Sequence, residues 1–250
     1  MFEFLVQFFY IILYQPLFNA LVALYDYIPG NDFGVAIVFL TLIIRFILYP
    51  VSVKAVNSQK NLQKLQPKIQ EIQKKYKNDR EKQAKETLEL YKKEKINPFS
   101  GLLLALIQLP ILIALYRVFW QGLNPAELSN LYSFVPNPGH LDTLFLGIID
   151  LTKPNIAMAL IAGIAQYFQS KMLMPKTPGQ KKQDGQPDFS GIMQKQMTYF
   201  LPGFTVIILL GLPSALGLYW AASGIFSIIQ QYFILRSAKE NSKFQIPNSK

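Results

Sequence analysis

Apolar residues in this chain come in blocks. Runs at 33–53, 99–121, 154–174, 196–212 and 214–235 carry almost no charge. Each is near the ~20 residues a helix needs to cross a hydrocarbon core, the fourth being the shortest. Between the first two runs the pattern changes. Over 57–96 the chain is polar, with apolar positions three and four apart: Leu62, Leu65, Ile69, Ile72 and Tyr76, then Ala84, Leu88 and Tyr91. Glu71 and Lys75, Glu81 and Lys85, and Glu89 and Lys93 stand in the favourable i,i+4 order. The spacing predicts an antiparallel helical hairpin whose narrow apolar seams face each other. Stretch 122–153, rich in Pro, Asn and Gly, predicts a connection, and PKTPGQKKQDGQPDFSGI after residue 174 predicts another.

Residues 4–28 are apolar enough to suggest a sixth span. On a helix, however, Gln7, Gln15, Asn19 and Asp26 fall within about a third of the circumference. A helix lying on the membrane surface is the better reading, with Gln15-Pro16 as a break and restart. The opening MFEFLVQFFYIILY lacks the positive n-region of a cleavable signal, so it is expected to be retained.

Composition makes the segregation quantitative. The chain is 51% hydrophobic and 14% aromatic with mean hydropathy +0.21, yet its net charge is +10. The expected fold class is an all-α polytopic membrane protein with five transmembrane helices. Segments 54–98, 171–196 and 236–250 hold 13, 5 and 4 of the 25 Lys and Arg. Cytoplasmic flanks carry the positive excess, so the N-terminus is expected outside and the C-terminus in the cytoplasm. The division is then 1–32, an outer segment with the interfacial helix; 33–56, span 1; 57–96, the cytoplasmic hairpin; and 97–121, span 2. It continues with 122–153, an outer loop; 154–174, span 3; 175–195, a cytoplasmic loop; 196–212, span 4; 213–235, span 5; and 236–250, a cytoplasmic tail.

Arg45 sits inside span 1, where a charge costs from about 3 to over 10 kcal/mol unless water or polar groups receive it. No span carries an acidic residue, so a buried ion pair is not on offer. Thr41 and Ser52 fall on its helix face, with Leu40 expected to face lipid. Other spans supply Gln108, Gln166 and Ser170, and span 5 presents Trp220, Ser223, Ser227 and Gln230 in steps of three and four. These residues predict a polar recess inside an apolar bundle. Arg45 lies ~13 Å along a helix from Lys54, at inner-leaflet depth, so the recess would open to the cytoplasm. Snorkelling of Arg45 to the headgroups is the alternative, and the interior glutamines also suit interhelical hydrogen bonding. Met172, Met174, Met193 and Met197 bracket the cytoplasmic ends of spans 3 and 4, as an apolar lip or as filler.

Catalysis is not indicated. There is no cysteine, no Walker-type loop, no HExxH, no serine elbow, and the lone histidine, His140, lies in the outer loop. No cofactor, metal site or catalytic residue is expected, nor the carboxylate chains of a proton-coupled pump.

Taken together, "QPLF", "TLIIRFILYP", "LQPKIQEIQKKY", "LELYKKEKINPFSG", "LIQLPILIALYRVF" and "LPSALGLYWAASGIFSIIQQYFI" resemble the successive signatures of the YidC-type membrane protein insertases, from about Tyr14 to Arg236. The resemblance implies a five-span core around a hydrophilic groove open to the cytoplasm and to lipid. It implies Arg45 and Thr41 as groove residues, Trp220 with Tyr219 as the aromatic contact in the last span, and the hairpin as a partner-docking element. The implied partners are nascent membrane proteins, the Sec translocon, the ribosome and a targeting receptor, and the lipid bilayer of the bacterial plasma membrane, with no specific nucleic-acid sequence. The chain is similar to the short forms that have no large extracytoplasmic domain before the core. It lacks their lipoprotein cysteine and a long basic tail, so strong autonomous ribosome binding is not expected.

Two other classes remain at this point. A small-anion channel or transporter would use Arg45 as its binding charge, but the outer halves FGVAIVF and LPSALGLY offer no polar path. An assembly chaperone that moves no polar segment is not separable by sequence.

Overall fold

The computed structural model describes residues 2–77, 79–97, 100–121, 125–174 and 196–244. The expected loop 175–195 with Met193, the tail end 245–250 and the side chain of Met197 lie outside the described residues. Helices dominate: α1 (Phe2–Phe9), a π turn (Tyr10–Tyr14), α2 (Gln15–Tyr27), α3 (Phe33–Ile47), α4 (Tyr49–Lys75), α5 (Arg80–Lys93) and α6 (Ser100–Gln121). A 3-10 turn (Pro125–Asn130) leads to the two-residue antiparallel strands β1 (Leu144–Phe145) and β2 (Ile149–Asp150). Then follow α7 (Ile156–Met172), a second π turn (Gln196–Phe200), α8 (Leu201–Leu209) and α9 (Ser214–Phe244).

Polar caps start the helices where the apolar runs begin. The Asp32 carboxylate accepts from Val35 N at 2.8 Å, and the Asn155 side chain accepts from Ala157 N and Met158 N. Each satisfies amides that a first helical turn leaves unpaired. Asp32 also accepts from Leu146 N at 2.6 Å, tying the β1–β2 turn to the start of α3. Gly34 fits beneath it only because it has no side chain, since a Cβ there would stand 2.1 Å from the Phe145 ring.

The same end is pinned further. Ser214 N and Ala215 N donate to Lys153 O and Leu151 O, so α7 and α9 begin side by side. They then run parallel: Gly217 lies against Met158 and Gly224 against Ala165, about two turns further on in both helices. Small residues let the two backbones approach closely, the usual device of helix pairs in membranes. Inside this loop end Phe33, Phe119, Leu115, Val118, Leu151 and Leu216 are fully buried, with Phe33 edge-on to Phe119 at 6.4 Å.

The amino-terminal helix packs onto that core through Tyr14, Phe18, Leu21, Val22 and Tyr25. Its polar stripe is not turned to water throughout. Asn19 is buried, donates to Gln15 O and Asn130 O, and accepts from Tyr132 N at 2.6 Å. Tyr25 receives Asp142 N. The stripe serves the connection between α6 and α7, because a loop's backbone groups need partners as much as a helix face needs solvent.

Span 1 was expected to run straight from 33 to 56. Instead the helix breaks at Leu48, and α3 and α4 meet at a bend of 65°. Pro50, in the first turn of α4, lacks the amide that would continue the α3 ladder. Ser52 thus sits on a different helix from Arg45, and α4 carries without interruption into the polar stretch. By length and apolarity, Val6–Tyr27 and Ser214–Arg236 can cross a membrane, and the bent pair makes a third candidate; Leu106–Trp120 and Thr198–Leu209 are shorter apolar helices.

Helix α5 folds back along α4. Gln83 donates to Gln73 O, Tyr76 to Glu86, and Lys68 pairs with Glu94 at 2.6 Å. Leu65 and Ile69 are buried, Leu62, Ile72, Tyr76 and Tyr91 half-buried. Leu88 is not on the seam: it is 54% exposed, as Ala84 is also exposed, while Gln83, Thr87, Leu90 and Tyr91 face inward. The α5 seam is thus more polar and rotated relative to the Ala84-Leu88-Tyr91 reading.

Candidate functional site

Polar groups gather away from the loop end. Counting 1.5 Å per residue from that end, Arg45 lies roughly 18 Å along α3, Gln166 roughly 15 Å along α7 and Ser223 roughly 14 Å along α9. Gln108 lies roughly 20 Å back along α6. Four helices thus present polar side chains at one depth, with the apolar core between them and the loops.

At the centre stands a linked trio. The Gln108 amide donates to the Tyr219 hydroxyl, and Tyr219 is within electrostatic reach of Arg45. Arg45 occupies the last turn of α3, where the negative end of the helix dipole favours a cation. That position answers part of the cost of placing an arginine here, and the bend at Leu48 creates it.

Orphan atoms mark the same region. Among the described residues, Arg45 Nε, Gln166 Oε1, Ser223 Oγ, Gln230 Nε2 and Gln231 Oε1 are buried without a hydrogen-bond partner, as is Gln66 Oε1 on α4. Native proteins rarely leave such atoms unpaired, and each costs about 1–3 kcal/mol when they do. The arrangement suits polar guests: water, or polar segments of another chain.

The other expected site residues divide. Thr41 is 0% exposed and its hydroxyl donates to Ile37 O at 2.7 Å; Ser52 donates in the same way to Leu48 O. Both hydroxyls are spent on their own helices, so neither offers a free donor. Leu40, expected to face lipid, is 2% exposed and belongs to the core. Ser227 is buried, Ser170 half-buried, and Trp220 half-buried against the core. Met172 and Met174 are half-buried at the end of α7.

Sequence reasoning missed Gln231 and Gln66. Gln231 follows Ser227 by four residues, so the stripe on α9 widens at its far end, a continuation visible in the spacing. Gln66 had no such signal. It lies in the polar arm of α4, three residues after Gln63, whose side chain donates to Leu173 O at the end of α7. The bend alone brings that arm to the bundle.

A helical membrane protein with an apolar closed end and a polar interior is the class this architecture defines. The chain belongs to the 60Kd inner membrane protein family, whose model matches residues 23–242. It is 33% identical over 211 residues to the membrane protein insertase YidC of Fusobacterium nucleatum, covering 84% of this chain and 89% of that one. The YidC of Clostridium perfringens is 36% identical over 222 residues, covering 86% of each. In Geobacter sulfurreducens the likeness, 35% over 225 residues, spans 89% of this chain but 37% of that longer protein. The chain is membrane-embedded and, like this insertase family, not an enzyme in the catalytic sense.

Proposed function

We propose that this chain inserts nascent membrane proteins into the bilayer by giving their polar flanks a short path through its polar interior. The observation that carries the reading is the polar cluster around Arg45, built by four helices at one depth, with orphan atoms on Arg45, Gln166 and Ser223. A polar segment entering there crosses less hydrocarbon, and the guanidinium attracts acidic residues in it. Apolar parts of the substrate slide along α3 and α9, which expose Phe39, Ile43, Ile225 and Ile229, and partition into lipid. The substrate-contacting set is Arg45, Gln108, Gln166, Ser170, Tyr219, Trp220, Ser223, Ser227 and Gln230, with Thr41 and Ser52 shaping the helices behind them.

The reading includes five spans in the bacterial inner membrane, with the N-terminus outside and the C-terminus in the cytoplasm. Supporting it, the starts of α3, α7 and α9 share one end, as alternate crossings require, and the basic stretches fall at the other. The α4–α5 arm docks the Sec translocon, the ribosome or a targeting receptor by its exposed face, where Leu88 stands, while Leu62, Leu65, Ile69, Ile72, Tyr76 and Tyr91 form the seam that holds the arm together. The small-anion channel is the lesser reading, because Phe33, Phe119 and Leu216 fill the end such a channel would have to open.

Photocrosslinkers at Trp220 and at Arg45 would test it against a ribosome-held nascent membrane segment, with lipid-exposed Leu160 as control. Crosslinks from the first two that vanish on release of the segment support the groove. Silence from both in a folded protein would reject it and make anion flux the next assay.

A further inference from the structure

An open cleft of about 550 Å³ lies between α1 and α6, lined by Glu3, Val6, Gln7, Tyr10 and Arg117. It is apart from the Arg45 cluster and takes no part in the reading above. Its chemistry is specific: one carboxylate and one guanidinium in apolar surroundings. Among the described residues neither has an ion-pair partner. Glu127 accepts through Oε2 from Tyr14 Oη at 3.1 Å and Asn130 Nδ2 at 2.9 Å, and it forms no ion pair with Arg117 among the described residues.

Depth adds a second observation. Arg117 is four residues from the end of α6, roughly 6 Å below the loop end. Trp120, 62% exposed and stacked with Tyr116 at 5.8 Å, marks the same level, as interfacial aromatics do. Beside the cleft, α1 and the π turn expose Phe4, Phe8, Ile11 and Ile12, an apolar surface along which acyl chains can lie.

We propose that this cleft binds the headgroup of an amine-bearing glycerophospholipid of the phosphatidylethanolamine type, with its phosphate on Arg117 and its ammonium on Glu3. The volume is within the ordinary range for a ligand cleft. The two opposite charges match a zwitterion whose own charges are separated in the same sense. A planar guanidinium suits phosphate by paired hydrogen bonds, and a carboxylate accepts from a primary ammonium but not from a quaternary one.

Native mass spectrometry of the full chain, purified in micelles with equal amounts of phosphatidylethanolamine, phosphatidylcholine and phosphatidylglycerol, tests this. The wild type is expected to retain the ethanolamine lipid over both others. Arg117→Gln should lower its retention about tenfold, the scale of a lost charge-assisted hydrogen bond. Glu3→Gln, at an exposed position where folding is not at stake, should keep phosphate binding and erase the preference over phosphatidylglycerol. Equal retention of the three lipids by the wild type would overturn the proposal. So would an undiminished preference for phosphatidylethanolamine over phosphatidylglycerol in Glu3→Gln, or wild-type retention by a folded Arg117→Gln; if Arg117→Gln does not fold, the preference in Glu3→Gln decides alone.

Discussion

The Gln108 side chain donates to the Tyr219 hydroxyl, and that one bond joins α6 to α9 at the depth of Arg45. Tyr219→Phe removes the hydroxyl and leaves the half-buried Gln108 amide without this partner. A loss of about 1–3 kcal/mol is expected, read as a lower unfolding midpoint in micelles. Adding Gln108→Leu should restore part of it, since replacing both partners by apolar groups removes the orphan. A double variant no more stable than Tyr219→Phe would show that the bond is not what Tyr219 contributes.

Charge at Arg45 should matter for what crosses. Arg45→Ala is expected to slow insertion most for substrates with acidic translocated tails, and Arg45→Lys to keep most of the activity. Insertion assays with matched acidic and neutral tails separate the effects. Equal losses for both tails would leave hydration of the interior without an electrostatic part.

Gly224 of α9 stands against Ala165 of α7, where a Cβ would come within 2.9 Å of the alanine Cβ. Gly224→Leu must force two long, parallel helices apart. Overpacking of this kind costs about 1–3 kcal/mol. Gly203, with no atom near its would-be Cβ, is the control: Gly203→Ala should leave the unfolding midpoint unchanged or raise it.

On the α4–α5 arm, burial ranks the substitutions. Ile69→Ala should cost about 2–5 kcal/mol if the arm unfolds with the bundle. Leu88→Glu should leave stability within about 0.5 kcal/mol, as exposed positions do. Should Leu88→Glu abolish binding of a partner without changing the unfolding midpoint, its exposed side chain belongs to a docking surface.

Asp150 supplies a pH dependence. The Thr152 hydroxyl and then Lys153 hold its carboxyl down to about 2, against an ordinary value of 3.8. A carboxylate depressed by folding stabilises the folded state above its unfolded value, and the contribution is lost as pH falls through the folded one. Stability of the β2–α7 corner should therefore fall between about pH 4 and about pH 2, a slope that Asp150→Asn flattens. Chemical denaturation over that window reads it; an unchanged slope would mean that the Asp150 contacts persist on unfolding.

The periodicity of apolar and polar positions was enough to show a mostly helical membrane protein, and the quoted motifs, taken together, were enough for the family. Spacing also singled out Arg45, Gln108, Gln166 and Ser223, because an unpaired charge and polar residues inside apolar runs are visible one residue at a time, whereas Tyr219 entered only through the resemblance. Three-dimensional packing decided the rest. The break between α3 and α4 was not read from the sequence: Pro50 stands there, but nothing local specifies a 65° bend, which depends on what α4 meets beyond it. That bend puts Ser52 on a different helix from Arg45, and Gln63 of the same helix reaches Leu173. Thr41 and Asn19 show the same limit in opposite ways. Both are polar residues on helix faces, yet one is satisfied by its own helix and the other by a loop more than a hundred residues away. Spacing along a chain tells which side chains share a face; which partner each face meets follows from long-range contacts that no local pattern encodes.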